Sequence, residues 1–259
     1  MPYLRRLLTT LSLSTLLVTT AANATQLVNV GLTSIQPPFV VNPETKQGLV
    51  YDFLEFLNKK QDKYHFSARL VPVKRLLSTD KYDTPDMIAF NNVEWGWVKR
   101  GGIGSLTLTD GRDLFFSLTD NIHPENKGTL AAVTGFYYAF ADYQSKNLPK
   151  LDYVRLVKNE QAVIRLVEHG RTEKGIISES LLNWISVSEP ERYQKFKIDP
   201  KEDHSYNRQF ITLPSSPIDV EEFNQLLLKC KGPQMDELFA LYGLQPPPLK
   251  IYKLFSDGS

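Results

Sequence analysis

The chain of 259 residues holds one cysteine, Cys230, so no internal disulfide can form and no cysteine-rich metal motif is available. Its four histidines, His65, His123, His169 and His204, show no His-Glu-x-x-His arrangement and no other paired metal spacing. A Gly-x-Ser-x-Gly elbow is missing, as is a Gly-x-x-x-x-Gly-Lys phosphate loop. Gly101, Gly102 and Gly104 do not follow a strand in dinucleotide-binding spacing. Nucleophilic or metal-assisted catalysis therefore has no support, and neither a metal nor a cofactor is expected. Charge of one sign is lacking too: 30 basic residues against 29 acidic ones give a formal charge of +1. This excludes the basic face that nucleic acid needs and the polybasic anchor that an anionic membrane attracts. No repeat or low-complexity tract appears, which removes the solenoid class. What is present is an apolar fraction of 42%, enough for a packed core and too much for disorder.

The N-terminus differs from the rest. Arg5 and Arg6 precede Leu7–Thr20, an apolar stretch mixed with Ser and Thr, and Ala22-Asn23-Ala24 supplies the small residues that signal peptidase accepts. The apolar stretch is short of the ~20 residues that a membrane span needs. Residues 1–24 are read as a secretory signal peptide. Its removal leaves 235 residues and, with two arginines gone, a charge of −1. That length suits one large domain or two lobes, exported most simply to a bacterial periplasm. Cys230 lies too far from the cleavage point to be a lipid-attachment site.

Periodicity predicts a strand over Leu27–Leu32, a break at Pro37-Pro38, and a helix after Gly48 with Leu49, Val50, Phe53, Leu54 and Leu57 on one face. A strand over Tyr64–Val73 leads to a short helix from Lys74 or Arg75, and Asp86–Phe90 reads as a buried strand. This β-α-β-α-β order implies parallel strands with right-handed crossovers. A second unit starts near residue 110, with strands at Leu114–Phe116, Leu130–Val133 and Ile176-Ile177. A helix is expected after Gly135 and another over Glu160–Glu168, ended by Gly170. That unit closes near Tyr206, and Gln209–Leu213 is extended. Asp219 and Glu222 have capping-box spacing ahead of Phe223, Leu226, Leu227 and Cys230, and a last helix, Met235–Tyr242, stops at Gly243. The tail past Pro246-Pro247-Pro248 is expected to be extended with little core.

Two α/β lobes make a cleft, and ligands of open α/β sheets bind beyond the carboxyl ends of strands. Asn91, Trp95 and Trp97 follow the Asp86–Phe90 strand, and either Trp covers the lobe's edge or faces a ligand. Phe39, after the first strand, stacks on a ligand or plugs the core. Arg75 at a helix start suits an anion, or is a solvated arginine. Gly135 to Tyr138 expose backbone N–H groups, and Ser178 and Glu179 follow a strand, with helix capping the plainer role for Ser178.

Together these segments resemble a known family. Pro37-Pro38-Phe39, Gly48-Leu49-Val50-Tyr51-Asp52, Asp86-Met87-Ile88-Ala89-Phe90 and Val133-Thr134-Gly135-Phe136-Tyr137 are similar to motifs of type 2 periplasmic solute-binding proteins. So are Gly170-Arg171, Ser178-Glu179, Phe223-Asn224 and Tyr242-Gly243-Leu244. The match is to the group serving polar amino acid uptake, known as solute-binding protein family 3. The resemblance implies an α/β, two-lobe periplasmic binding protein type 2 fold, each lobe a mixed, mostly parallel sheet with flanking helices around a ligand cleft. Residues 25–110 and 207–259 would form lobe 1, and 111–206 lobe 2. Ser105-Leu106-Thr107-Leu108-Thr109-Asp110-Gly111-Arg112 is similar to the family's carboxylate-binding pattern, which points to Arg112. Alignment by length places Arg100 there instead and makes 106–112 the first crossing. The family's amine-binding aspartate falls on Ser178, beside Glu179, and Trp95, Trp97 or Tyr137 could instead hold a cationic or aromatic ligand by stacking. The implied function is capture of a small polar solute for the membrane permease of an ABC-type importer, by a monomer and without catalysis. The alternatives are an enzyme of the cyclohexadienyl or arogenate dehydratase type on the same fold, and a sensor that presents its ligand to a receptor.

Overall fold

Strands β1 (Gln26–Leu32), β2 (Tyr64–Leu70) and β3 (Met87–Asn91) of this computed structural model are parallel neighbours in the order β2-β1-β3. The structure describes residues 24–71, 84–120 and 124–251. Residues 1–23, Arg75 with its expected helix, and His123 lie outside them. Alternation drives β1: Val28, Val30 and Leu32 are buried on one face, against Phe53 and Leu57 of α1 (Leu49–Asn58). That helix begins at Gly48, where φ is 131° and a Cβ would meet the Phe39 carbonyl at 2.5 Å. Only glycine fits there.

The second half carries β6 (Leu130–Val133), β7 (Val154–Val157) and β8 (Lys174–Ser178), again parallel, in the order β8-β6-β7. Helices α2 (Glu160–Glu168) and α3 (Glu179–Ser188) pack Val163, Ile164, Leu181 and Ile185 into a core of their own with Phe116 and Ile177. Asn159 and Ser178 cap these helices, and Gly170 turns the chain at φ 61°. The closing helices α4 (Val220–Cys230) and α5 (Pro233–Ala240) return to the first core through Phe223, Leu227 and Phe239. The Asp219 carboxylate accepts the Glu222 N–H at 2.7 Å, as the capping spacing predicts.

Two antiparallel strands join the halves. β5 (Thr109–Leu118) and the 17-residue β9 (Phe196–Thr212) pair from Thr109↔Arg208 to Leu118↔Phe196. β9 then continues into the first sheet beside β3 and the short β4 (Ile103–Gly104). The result is the two-lobe α/β architecture that the resemblance implies.

Two expectations are corrected. No α-helix follows Gly135; single 3-10 turns at Ala139–Ala141 and Ser145–Lys150 replace it, because Asp142 and Tyr143 both sit at positive φ and Pro149 interrupts the second turn. The tail does contribute core: Leu249 is buried, and its N–H donates to the Thr107 carbonyl at 2.9 Å.

Candidate functional site

His204, Tyr206 and Arg208 are alternate residues of β9, so one face of the crossing strand carries all three. Asp113, on the matching face of β5, completes a polar chain. The Arg208 guanidinium donates through Nη1 to the Phe90 carbonyl (3.1 Å) and through Nη2 to the Tyr206 hydroxyl (3.3 Å). That hydroxyl donates to Asp113 Oδ1 at 3.0 Å. Asp113 Oδ2 lies 3.9 Å from His204 Nδ1, which contacts Asp203 Oδ2 at 2.9 Å. Asp203 in turn accepts the Ala139 and Phe140 N–H groups, fixing the loop after β6. The chain thus runs from a loop of one lobe to the last turn of β3 in the other.

Arg208 is buried, with Phe39, Trp95 and Tyr206 rings around its guanidinium at 4.8, 5.3 and 5.1 Å. Such contacts stabilise a desolvated cation by about 2 kcal/mol or more each. Its Nε has no hydrogen-bond partner. The carbonyl it holds belongs to Phe90, which sits at φ 43°, a costly backbone conformation for an aromatic residue. Burial pushes the Asp113 carboxyl up to about 7, with the nearby Glu160 charge adding to the effect. His204, Tyr206 and Arg208 pull the other way and are outweighed. Burial opposes a charge on His204, yet Asp203 and the neighbouring carboxylates of Asp113 and Glu202 leave it raised overall.

These residues line a cleft of about 250 Å³ between the lobes. The first lobe supplies Thr33, Ser34, Gln36, Asn91, Trp95 and Trp97; the second supplies Gly135, Phe136 and Tyr137. Trp97 Nε1 donates to Asn91 Oδ1 at 2.8 Å, which orders the turn carrying Trp95. Trp95 meets the Tyr206 ring edge-on at 5.2 Å. Across the mouth, Gln36 Nε2 donates to Glu160 Oε2 at 2.9 Å, while Glu160 Oε1 accepts the Ser178 N–H at 2.6 Å. A volume below the ~300–1,000 Å³ typical of drug-sized ligands suits a small metabolite. Among the described residues no group of three or more His, Cys, Asp and Glu could hold a metal, and no helix is long and apolar enough to cross a membrane.

Of the residues singled out in the sequence, Asn91, Trp95, Trp97, Gly135 and Tyr137 come together here. Phe39 does not line the cleft; it lies in the first core, its ring 4.8 Å from Phe90. Arg100 is exposed on a 3-10 turn, over the Trp97 ring at 5.8 Å. Arg112 points away from the cleft and pairs with Glu179 and Glu202, which also occupies Glu179. Ser178 is a buried helix cap. Asp113, His204, Tyr206 and Arg208 were missed. A one-residue shift separates Arg112 from Asp113, and in a strand that reverses the face. The alternation His204-x-Tyr206-x-Arg208 was the signal that could have found the rest.

Comparisons with solved structures settle what this architecture is. A substrate-binding protein of an ABC uptake transporter from Streptococcus pneumoniae with bound histidine superposes with a TM-score of 0.66 at 12% identity, over 86% of this chain and 94% of that one. A histidine kinase sensor domain with similarity to periplasmic binding proteins gives 0.64 at 13% identity, over 86% and 99%. The chain has the two-lobe fold of type 2 periplasmic binding proteins. An ancestral cationic amino acid solute binding protein shares that fold at a TM-score of 0.58 and 15% identity, over 83% and 93%. No family profile matches the sequence, and no curated protein does.

Proposed function

We propose that this chain captures a small polar solute between its lobes and alters no covalent bond in it. The observation that carries this reading is a small cleft with walls from both lobes, bridged at its mouth by the Gln36–Glu160 hydrogen bond. One gripping half is residues 25–110 and 207–259, the other 111–206, and their separate cores support rigid-body closure about β5 and β9. Asn91, Trp95, Trp97, Gly135 and Tyr137 contact the guest, together with the four residues of the crossing strands. The chain works in the periplasm after loss of residues 1–24, as a monomer, and hands its guest to the permease of an ABC-type importer. The likeness to a sensor domain supports a second destination, a membrane receptor that reads the closed form.

An enzyme of the dehydratase type has one observation in its favour: Asp113, held partly protonated near neutrality, is what a general acid requires. Incubating the purified chain with prephenate and arogenate decides between the readings, since consumption of either would overturn simple capture. A thermal-shift screen of amino acids, polyamines, quaternary amines and small carboxylates should raise the melting temperature for the guest, by linkage. Trp95→Ala should weaken that guest's binding about tenfold, the worth of one aromatic wall, and should also lower the free protein's stability through the lost contacts with Arg208 and Tyr206 while leaving it folded. Unchanged affinity would mean that the cleft is not the binding site.

A further inference from the structure

Resting on the capture reading, we infer that the guest carries a protonated amine or guanidinium, that Asp113 is the group that receives it, and that the guest's arrival expels a proton from the cleft. The geometry makes Asp113 half occupied. Asp113 lines the cavity; Oδ1 accepts the Tyr206 hydroxyl, whereas Oδ2 stays beyond hydrogen-bond reach of His204 Nδ1 at 3.9 Å. Asp113 is the register partner of Ser178, so its carboxyl lies on the floor where β5 and β8 meet.

Every charged neighbour bears on this choice. Glu160 on α2 is a second buried carboxylate, engaged by the Ser178 N–H and the Gln36 amide. On β9, Arg208 is the one permanent cation of the lining, caged by aromatic rings and turned to the Phe90 carbonyl and the Tyr206 hydroxyl. His204 is tied to Asp203. The hydroxyl oxygen of buried Tyr138 accepts the Val133 N–H of β6. On β5 itself Arg112 faces outward and is spent on Glu179 and Glu202. Apart from the Asp203–His204 pair, the carboxyls of Asp113 and Glu160 stand against one guanidinium, and the surplus is negative as soon as Asp113 ionises.

Without a guest, burial and Glu160 hold Asp113 up to about 7. A cation at Oδ2 stabilises only the ionised form, so it draws the carboxyl down and frees a proton. Affinity should then rise with pH and level off once Asp113 is already ionised. His204 acts in the same sense, because it sheds a like charge as pH rises. The walls of Trp95 and Tyr206 add cation–π attraction to the same guest.

The test uses the purified chain with L-arginine, L-lysine, putrescine and choline, and with succinate and glucose as solutes lacking a cation. At least one amine should bind about tenfold more tightly near pH 8 than near pH 6, the change expected for a single group titrating at about 7. Calorimetry in phosphate and in Tris should report net proton release near pH 7, a readout that needs no variant. Asp113→Asn should abolish most of the affinity and most of its pH dependence, leaving the smaller slope that His204 contributes. Tyr206→Phe, which removes a hydrogen bond favouring the ionised carboxyl, should move the midpoint upward. Binding of succinate or glucose but of no amine would overturn the inference while leaving solute capture standing. An amine bound equally well by Asp113→Asn, or without proton release, would overturn it too. Binding of nothing would remove the capture reading along with it.

Discussion

At the scale of single residues, the site is governed by which carboxyls and cations were taken out of water, and at what cost. Asp113 has no cationic partner in contact: Tyr206 supplies one hydroxyl, and His204 stands at 3.9 Å. A buried carboxyl in that position holds its proton to about 7, whereas in the unfolded chain it would lose it near 4. Between those values the folded state binds a proton that the unfolded state has released, so stability falls as pH rises through the window and is fully forfeited above it. Asp113→Asn keeps the shape and removes the ionisation. Urea unfolding at a series of pH values should show the variant with a flatter profile between about 4 and 7 and a gain of about 1–3 kcal/mol above it. Some slope will persist, because His204, raised in the folded chain, also contributes stability that fades as pH rises. A variant as pH-dependent as the parent, or less stable at high pH, would show that Asp113 is solvated. Arg208 makes the complementary point. Its cage of three rings includes Phe39, which the sequence places after Pro37-Pro38 as either a stacking surface or a plug. It is a plug, 3% exposed, and it reaches the site only by supporting the guanidinium.

Among elements, the helices were the most readable part and the crossing strands the least. Caps and apolar stripes are local in sequence, so the Asp219–Glu222 spacing, Gly170 and the buried face of α1 could be read directly. A helix is expected after Gly135 because the segment to Tyr138 directly follows a strand, but Tyr138 is extended and only 3-10 turns form. Asp203, more than 60 residues downstream, is what satisfies the Ala139 and Phe140 N–H groups. The face of β5 was likewise set from afar. Nothing local favours Arg112 over Asp113 as the inward residue; Glu179 and Glu202 do, by drawing the arginine outward. Gly111 shares the inward face with Asp113 and explains how closely β5 and β9 approach. A Cβ there would fall 2.5 Å from the Tyr206 ring. That ring cannot swing away without breaking its hydroxyl's bonds to Asp113 and Arg208. Gly111→Ala should cost about 1–3 kcal/mol of stability by overpacking, read from the urea midpoint, and should weaken solute binding as well. Full affinity in a destabilised variant would separate the strand pair's structural role from its part in the cleft.

For the whole molecule, the question is what holds the lobes together when the cleft is empty. Besides β5 and β9, two contacts among the described residues do so. Trp184 of α3 stacks on Tyr242 at 5.5 Å, with the Tyr242 hydroxyl fixed to Asp52, and this contact sits beside Gly243, where a Cβ would strike the Asn183 carbonyl at 2.6 Å. The other is the Gln36–Glu160 bond at the cleft mouth. The first involves rings packed into both cores. The second is one amide against one carboxylate, and a hydrogen bond to a charged group contributes about 1.5–3 kcal/mol. A term of that size can set the ratio of closed to open forms without dictating it, which is what the proposed capture and release of a guest needs. Gln36→Ala deletes the amide but leaves Glu160 its bond to the Ser178 N–H, so the second lobe's own structure is spared. Small-angle scattering of the free variant should show a larger radius of gyration than the parent. If closure precedes binding, the apparent affinity should drop by the same factor as the closed population, on the order of tenfold. The on-rate should then fall in proportion while the dissociation rate changes little. Parent-like scattering together with parent-like affinity would deny the Gln36–Glu160 contact any part in closure and leave the Trp184–Tyr242 stack as the remaining tie outside the strands, among the described residues, to test.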